Sequence, residues 1–227
     1  MYLYKSSDLY MNVLKKINIV LVDDHQILRD GLRSLIEQKS NLHIVGEAAD
    51  GRFAIKLCAK LVPDVVITDV AMAGLNGIEA ARQIHKNHPN IKIIGLSMHA
   101  NKKFIQGMFK AGAFAYLLKD GDTDELITAI TTVMQNKKYL SKNVNQDYLT
   151  LLHENNVVHE KKISSRETEV LQLLTEGNTS KEIGELLFLS SKTVDVHRNN
   201  LMKKLDLYTI PDLTKYAIRE GLTSLGD

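Results

Sequence analysis

From residue 17 to about residue 135, short apolar runs alternate with amphipathic stretches. The runs are INIVLV (17–22), LHIVGEA (42–48), VVIT (65–68), IKIIGLS (91–97) and FAYLL (114–118). Each is rich in Val, Ile and Leu and is nearly continuous, which is how a strand covered on both faces reads. Between them apolar residues recur at helical spacing over 26–38, where Ile27, Leu28, Leu32, Leu35 and Ile36 supply the stripe, and over 52–61, 77–87, 101–111 and 123–136. Five βα units in succession predict a parallel sheet with helices on both sides, an α/β doubly wound fold of five strands.

The rhythm stops after residue 136. Residues 137–160 are polar apart from the cluster Tyr148-Leu149-Thr150-Leu151-Leu152 and read as a linker. From Ile163 onward only helical spacing remains. Ser164 and Glu167 form a capping-box pair, as do Thr179 and Glu182. A third helix follows Ser190 and runs to about Leu205, and a fourth starts near Pro211, a residue suited to a first helical turn. The chain therefore divides into an N-terminal extension (1–16), an α/β domain (17–136), a linker (137–160) and a small all-α four-helix domain (161–227). Met11 is a second candidate start within the extension.

Composition narrows this picture little. A chain of 227 residues fits one large domain or two modest ones. The net charge of +2 does not announce nucleic acid, so any basic footprint must be local. The single cysteine, Cys58, excludes an internal disulfide and falls in an apolar helical pattern, which suggests a buried structural thiol. No apolar run approaches a membrane span, and the first residues lack the apolar core of a signal peptide, so the expected location is cytoplasmic.

Candidate chemistry sits where the strands end. In an open parallel sheet, ligands bind beyond the carboxyl ends of the strands. The first strand ends at Asp23-Asp24, the third at Asp69, the fourth at Ser97 and the fifth at Lys119. A single Asp after a strand is usually a turn former or a helix cap, but this combination is not explained so. Clustered carboxylates repel and call for a cation, and all-oxygen ligands favour a hard ion such as Mg2+. A carboxylate can also act as a nucleophile and become an aspartyl phosphate, with Lys119 and Ser97 placed to bind the phosphoryl oxygens. His85, His88 and His99 form no comparable set and read as exposed, solvated side chains.

With these residues in view, 17–136 resembles the receiver domain of two-component response regulators. The matching pieces are VDDH (22–25), DVVITDVAMAGLNGIEAAR (64–82), IIGLSMH (93–99) and AYLLKD (115–120). The resemblance implies a flavodoxin-like strand order, 2-1-3-4-5. It implies that Asp69 accepts the phosphoryl group from a sensor histidine kinase. It further implies Mg2+ held by Asp24 directly, Asp23 through water, Asp69 and the backbone carbonyl of Ala71, with Ser97 as switch hydroxyl, Lys119 as phosphate partner and Tyr116 as aromatic switch. On this reading the domain catalyses its own phosphorylation and dephosphorylation without being a dedicated enzyme. Two departures stand out. Ala73 occupies a position where the family often has Pro, and Ala71 has no side chain to order a hydrolytic water. A phosphatase with an Asp nucleophile is the rival reading, but such enzymes commonly need a carboxylate where Ala71 stands. A regulator that binds DNA without phosphorylation is the second rival, and the intact acidic site speaks against it.

The C-terminal part resembles the DNA-binding domain of the LuxR/NarL/FixJ regulators over 161–222, most closely in ISSRETEVLQLLTEGNTSKEIGELLFLSSKTVDVHRNNLMKKLDL (163–207). A helix-turn-helix over 179–205 would place its second helix in the major groove. Residues 160–210 hold eight Lys plus Arg and eight Asp plus Glu, yet 192–204 holds four cations and one anion. A run of this kind is commonly just a solvated face, and the domain match is what favours DNA. Val194, Leu201 and Leu205 share the core face; Lys192, Val196, Asn199 and Lys203 share the opposite one. The candidate DNA-binding residues are thus Lys192, Thr193, Asp195, Val196, Arg198, Asn199, Lys203 and Lys204. Arg198, Lys203 and Lys204 are placed for phosphates, Val196 for a thymine methyl and Asn199 for adenine. His197 lies beside the core face. Similarity also implies a homodimer when active, through the last helix, on promoter DNA.

Asp195 is the anomaly, because many relatives place a cation there. Three readings stay open: acceptance of a hydrogen bond from cytosine, pairing with Lys192 or Arg198 for about 0.2–0.5 kcal/mol, or repulsion of phosphate that excludes wrong registers.

The methyl side chain of Ala71 cannot order a hydrolytic water, which predicts a long-lived phosphoryl group. Radiolabelled phosphoprotein should lose label more slowly in the wild type than in Ala71→Asn; faster loss from the wild type would refute the argument.

Overall fold

A computed structural model describes residues 16–100, 102–144, 163–220 and 222–223. Most of the extension and the Tyr148–Leu152 cluster lie outside the described residues. The first domain runs β1 (Ile17–Val22), α1 (Gln26–Glu37), β2 (Leu42–Ala48), α2 (Gly51–Leu61), β3 (Val65–Asp69), α3 (Gly77–Asn87), β4 (Lys92–Ser97), α4 (Lys102–Lys110), β5 (Ala115–Leu118) and α5 (Thr123–Met134). All strand pairs are parallel, as the sequence pattern predicts, and their order, β2-β1-β3-β4-β5, is the one the receiver resemblance implies.

Alternation within the apolar runs explains the two layers. Successive strand side chains point to opposite faces. Ile19 and Leu21 of β1 join Val65, Ile67, Ile94 and Leu96 against α1 and α5. Val20 and Val22 join Val66 and Ile93 against α2, α3 and α4. Both faces of the sheet are dry, which is why the runs contain few polar interruptions. Cys58 of α2 lies wholly inside this second layer, where burial pushes its thiol up to about 12. It is a packing group, as its place in the helical stripe suggests.

The sheet has one strand more than the sequence predicts. Tyr139–Leu140 form β6, parallel to β5, within the segment read as linker. Two residues are too few to show a period. Tyr139 N donates to Phe114 O and Ser141 N to Tyr116 O, both at 2.9 Å, and a side chain on α5 fastens the strand: Glu125 accepts from Ser141 Oγ at 2.9 Å, Lys142 N at 2.8 Å and Tyr139 OH at 3.1 Å.

The second domain contains α6 (Ser165–Thr175), α7 (Ser180–Leu187), α8 (Ser191–Leu205) and α9 (Ile210–Arg219). Both capping boxes are formed, at Ser164/Glu167 and Thr179/Glu182. Ser190 and Thr209 cap the last two helices. α6 is the central helix. Val170, Leu173 and Leu174 meet Ile183, Leu187 and Val194, while Leu171 meets Leu201, Leu213 and Ala217. Among the described residues no helix is long and apolar enough to cross a membrane.

One glycine constrains the segment that follows β3. A Cβ on Gly77 would come within 1.9 Å of the Asp69 carbonyl oxygen, because the chain turns back there and Gly77 N donates to Val70 O at 3.1 Å. Gly31 of α1, by contrast, has nothing within 4 Å of such a Cβ. Gly77→Ala should therefore lower stability by about 1–3 kcal/mol, while Gly31→Ala should raise it by about 0.5–1 kcal/mol; paired urea titrations check both signs.

Candidate functional site

Strand order reverses at β1, whose neighbours are β2 on one side and β3 on the other. The crevice at such a switch point is where the carboxyl ends of adjacent strands can both reach a ligand. β1 delivers Asp23 and Asp24 there, and β3 delivers Asp69. Asp23 and Asp69 are buried, at 1% and 4% exposure. Lys119, from the end of β5, bridges them: its Nζ lies 2.7 Å from Asp23 Oδ2 and 2.8 Å from Asp69 Oδ2. Burial pulls the Lys119 ammonium down, but the two carboxylates outweigh it and its pKa is raised. Asp69 is raised too, because burial outweighs the pull of Lys119. The remaining Asp69 oxygen accepts from Ala71 N at 3.2 Å.

Candidate ligand atoms of Asp23, Asp24, His25 and Asp69 lie within 4.8 Å of one another. Three carboxylates in that space give a hard-oxygen donor set that suits a small divalent cation. His25 is an addition that the sequence reading missed. Its Nδ1 lies 2.9 Å from Asp24 Oδ1 and 3.2 Å from Asp23 Oδ1. Adjacency to the DD pair in VDDH was the available signal.

Ser97 and Tyr116 belong to a second chain of contacts. Ser97 Oγ accepts from His99 N at 3.1 Å, and Tyr116 OH donates to His99 O at 2.6 Å. Tyr116 is fully buried, and burial raises its hydroxyl pKa. His99 is exposed as expected, but His85 and His88 are not: both are half-buried, and the His85 ring is packed where a Cβ on Gly112 would stand, its Nδ1 without a hydrogen-bond partner among the described residues. Sequence spacing shows a helix face but not what turn will press on it.

The loop between β3 and α3 touches the second domain. Gln172 of α6 uses both ends of its amide on it: Nε2 donates to Met72 O at 2.8 Å, and Oε1 accepts from Asn76 N at 3.1 Å. Asn76 caps α3 through Glu79 N and donates from Nδ2 to Leu222 O at 2.9 Å. Gly74 N donates to Glu176 Oε1 at 3.2 Å. Lys103 with Glu220 at 2.9 Å and Arg52 with Glu169 at 3.6 Å flank the contact. Sequence reasoning missed Gln172, although a lone amide inside Val170-Leu171-Gln172-Leu173-Leu174 was a visible signal.

On α8, Val194 and Leu201 are fully buried and Leu205 is partly buried, while Lys192, Val196, Asn199 and Lys203 are exposed. The predicted phase is thus the observed one, and this face stays exposed with the two domains in contact. Two of the three residues placed for phosphates are engaged within the protein. Lys204 Nζ lies 2.8 Å from Glu167 Oε2, and Arg198 Nη2 lies 3.4 Å from Asp195 Oδ1. Burial raises the Glu167 pKa, but Lys204 and Ser164 outweigh it and hold it below the usual carboxylate range. Thr193 N donates to Ser190 Oγ at 3.1 Å, so its backbone serves the cap. On α9, Leu213 and Ala217 are spent in the core, and Ile210 stays exposed.

An acidic switch-point crevice bridged by lysine, followed by a helix-turn-helix, defines a class, and comparison identifies it. Residues 19–131 match the response regulator receiver domain, and residues 161–217 match the luxR family of bacterial regulatory proteins. The chain belongs to the LuxR-type response regulators, transcriptional regulators that pair a receiver with a DNA-binding domain. Among its relatives are the transcriptional regulatory protein LiaR of Bacillus subtilis, 36% identical over 92% of this chain and 100% of the relative, and DegU of Brevibacillus brevis, 33% identical over 91% and 94%. RcsB of Salmonella typhimurium aligns with a TM-score of 0.61 at 27% identity, covering 91% of this chain and 99% of RcsB. An RcsB–DNA complex aligns at 0.55 and 29% identity, over 91% and 99%.

Truncating Gln172 would leave Met72 O and Asn76 N buried without a partner, at about 1–3 kcal/mol each when unsatisfied. Gln172→Ala should therefore separate the domains, seen as a larger radius of gyration in small-angle X-ray scattering; an unchanged value would show that the contact does not depend on this amide.

Proposed function

We propose that a sensor histidine kinase phosphorylates Asp69 and that this modification controls promoter binding by the C-terminal domain. The observation that carries the proposal is the bridge from Lys119 to Asp23 and Asp69. It holds a buried carboxylate next to two more, with an ammonium ready to follow new negative charge. Asp23, Asp24, Asp69 and the Ala71 carbonyl would hold Mg2+, which supplies neutralisation of the incoming phosphoryl oxygens. Lys119 and the Ser97 hydroxyl bind those oxygens from the protein side.

A phosphoryl group adds about two negative charges and three strong acceptors. Ser97 turning toward it gives up the bond from His99 N, and His99 is the residue whose carbonyl anchors Tyr116. Asp69 is also two residues from Ala71 and three from Met72, the start of the loop that Gln172 grips. Charge at Asp69 thus acts on two linked elements, the Ser97–His99–Tyr116 chain and the interdomain loop. Because the outer face of α8 is already exposed, the released element is the α6 contact and not a covered recognition helix.

For the kinase, an apolar groove of about 690 Å³ opens beside Lys119 between α1 and the start of α5. Ile27 and Met98 line it and are 89% and 66% exposed. Large apolar side chains left in water next to a reactive group suit a transient protein partner. The proposed target is double-stranded promoter DNA, bound as a homodimer in the cytoplasm. Because β6 belongs to the receiver's sheet, the domain limits proposed are residues 17–144 for the receiver, 145–160 for the linker and 161–227 for the DNA-binding domain.

The test compares promoter binding by wild type and Asp69→Asn, each with and without acetyl phosphate. Wild-type affinity should change with the phosphodonor and the variant's should not; equal affinity in all four conditions sinks phosphorylation control.

A further inference from the structure

Asp195 stands on the helix proposed to enter the groove, where a carboxylate opposes a polyanion. Its surroundings narrow the three readings. One oxygen, Oδ1, takes both contacts: it accepts from Ser180 Oγ at 2.7 Å and lies 3.4 Å from Arg198 Nη2. Ser180 is the first residue of α7, and its hydroxyl is not needed for the helix cap, which Thr179 and Glu182 complete. It is thus free to reach across to α8. Lys192, the other candidate partner, is exposed on the side that carries Val196 and Asn199.

The charge on the helix must then be counted differently. Residues 192–204 carry four cations and one anion by sequence. Lys204 is paired with Glu167, and Arg198 with Asp195. Of the four cations, the two left without an ion pair among the described residues are Lys192 and Lys203. The Asp195 and Arg198 side chains are 45% and 36% exposed, so with the carboxylate's charge removed Arg198 is free to reach a phosphate. A cation already neutralised inside the protein releases no counterion from DNA, and counterion release supplies nearly all sequence-independent affinity.

We propose that Asp195, through its pairing with Arg198, withholds that cation from the DNA backbone and so limits the affinity of this protein for non-target DNA. The inference rests on the DNA-binding function of the LuxR-type domain. It makes Asp195 a positioning residue that acts through Arg198, not a reader of a base. Its use is competitive: a genome offers a large excess of non-specific sites, and each phosphate contact strengthens binding to all of them.

The experiment measures binding of random-sequence and promoter duplexes by fluorescence anisotropy across a salt series, using the full chain. The variants are Asp195→Asn, Arg198→Ala, their double mutant and Ser180→Ala. Asp195→Asn keeps the shape and an acceptor for Ser180 but not the charge. It should bind random duplex about 3–10-fold more tightly, with a log affinity against log salt slope steeper by about 0.9, the value of one phosphate contact. That gain should vanish in the Arg198→Ala background. Ser180→Ala keeps both charges and should leave the salt slope at the wild-type value, which separates the ion pair from a loss of helix packing. An unchanged slope in Asp195→Asn overturns the proposal, as does a gain that persists without Arg198. Loss of discrimination at a single promoter base pair, at constant slope, overturns it in favour of base readout. Failure of wild type and every variant to bind any duplex overturns the DNA-binding reading itself, and this inference with it.

Discussion

Everything in the receiver is arranged around the cost of bringing carboxylates together in a buried crevice. Asp23 and Asp69 sit at the carboxyl ends of β1 and β3, almost wholly buried. Without an opposing charge their repulsion and desolvation would drive protonation or open the crevice. Lys119 supplies that charge from a strand two places away, and it arrives there because β5 is parallel to β4 and β4 to β3. The sheet topology is therefore the means by which an ammonium meets two carboxylates distant in sequence. The dry layers on each face hold the strands that carry all three groups.

The second dependency is mechanical. From Asp69 to Gly77 the chain folds back on itself so tightly that Gly77 admits no side chain, and Asn76 both starts α3 and binds the other domain. A short loop pinned at each end transmits displacement because it has no slack. One end is the proposed phosphoacceptor, and the other is in the grip of Gln172. Local and interdomain structure are thus the same hydrogen bonds seen from two sides.

The parts legible in the sequence share a property: each repeats or is anchored by local chemistry. Five strands, the helices between them, both capping boxes and the buried face of α8 follow from period and from caps. Asp23, Asp24, Asp69, Ser97 and Lys119 were legible because the ends of buried strands are few and polar residues there are conspicuous. What stayed hidden is non-local. β6 is held by backbone bonds to β5 and by Glu125 reaching over from α5, and Tyr139-Leu140 carries no pattern of its own. The burial of His85 depends on a turn at Gly112, and the engagement of Lys204 depends on a capping glutamate on another helix. Helical phase gives the direction of a side chain but not the neighbour it meets.

Gln172 has a consequence for recognising such joints elsewhere. An amide at this place offers a donor at one end and an acceptor at the other, and the loop takes both. Glutamate would match only the Asn76 N–H, and leucine neither group. A domain that met no partner here would gain from an apolar residue at this point of α6, where Val170, Leu171, Leu173 and Leu174 are all buried. A solitary glutamine breaking a leucine run in the first helix of such a domain is thus a written record of contact with a second body, visible before any coordinates exist.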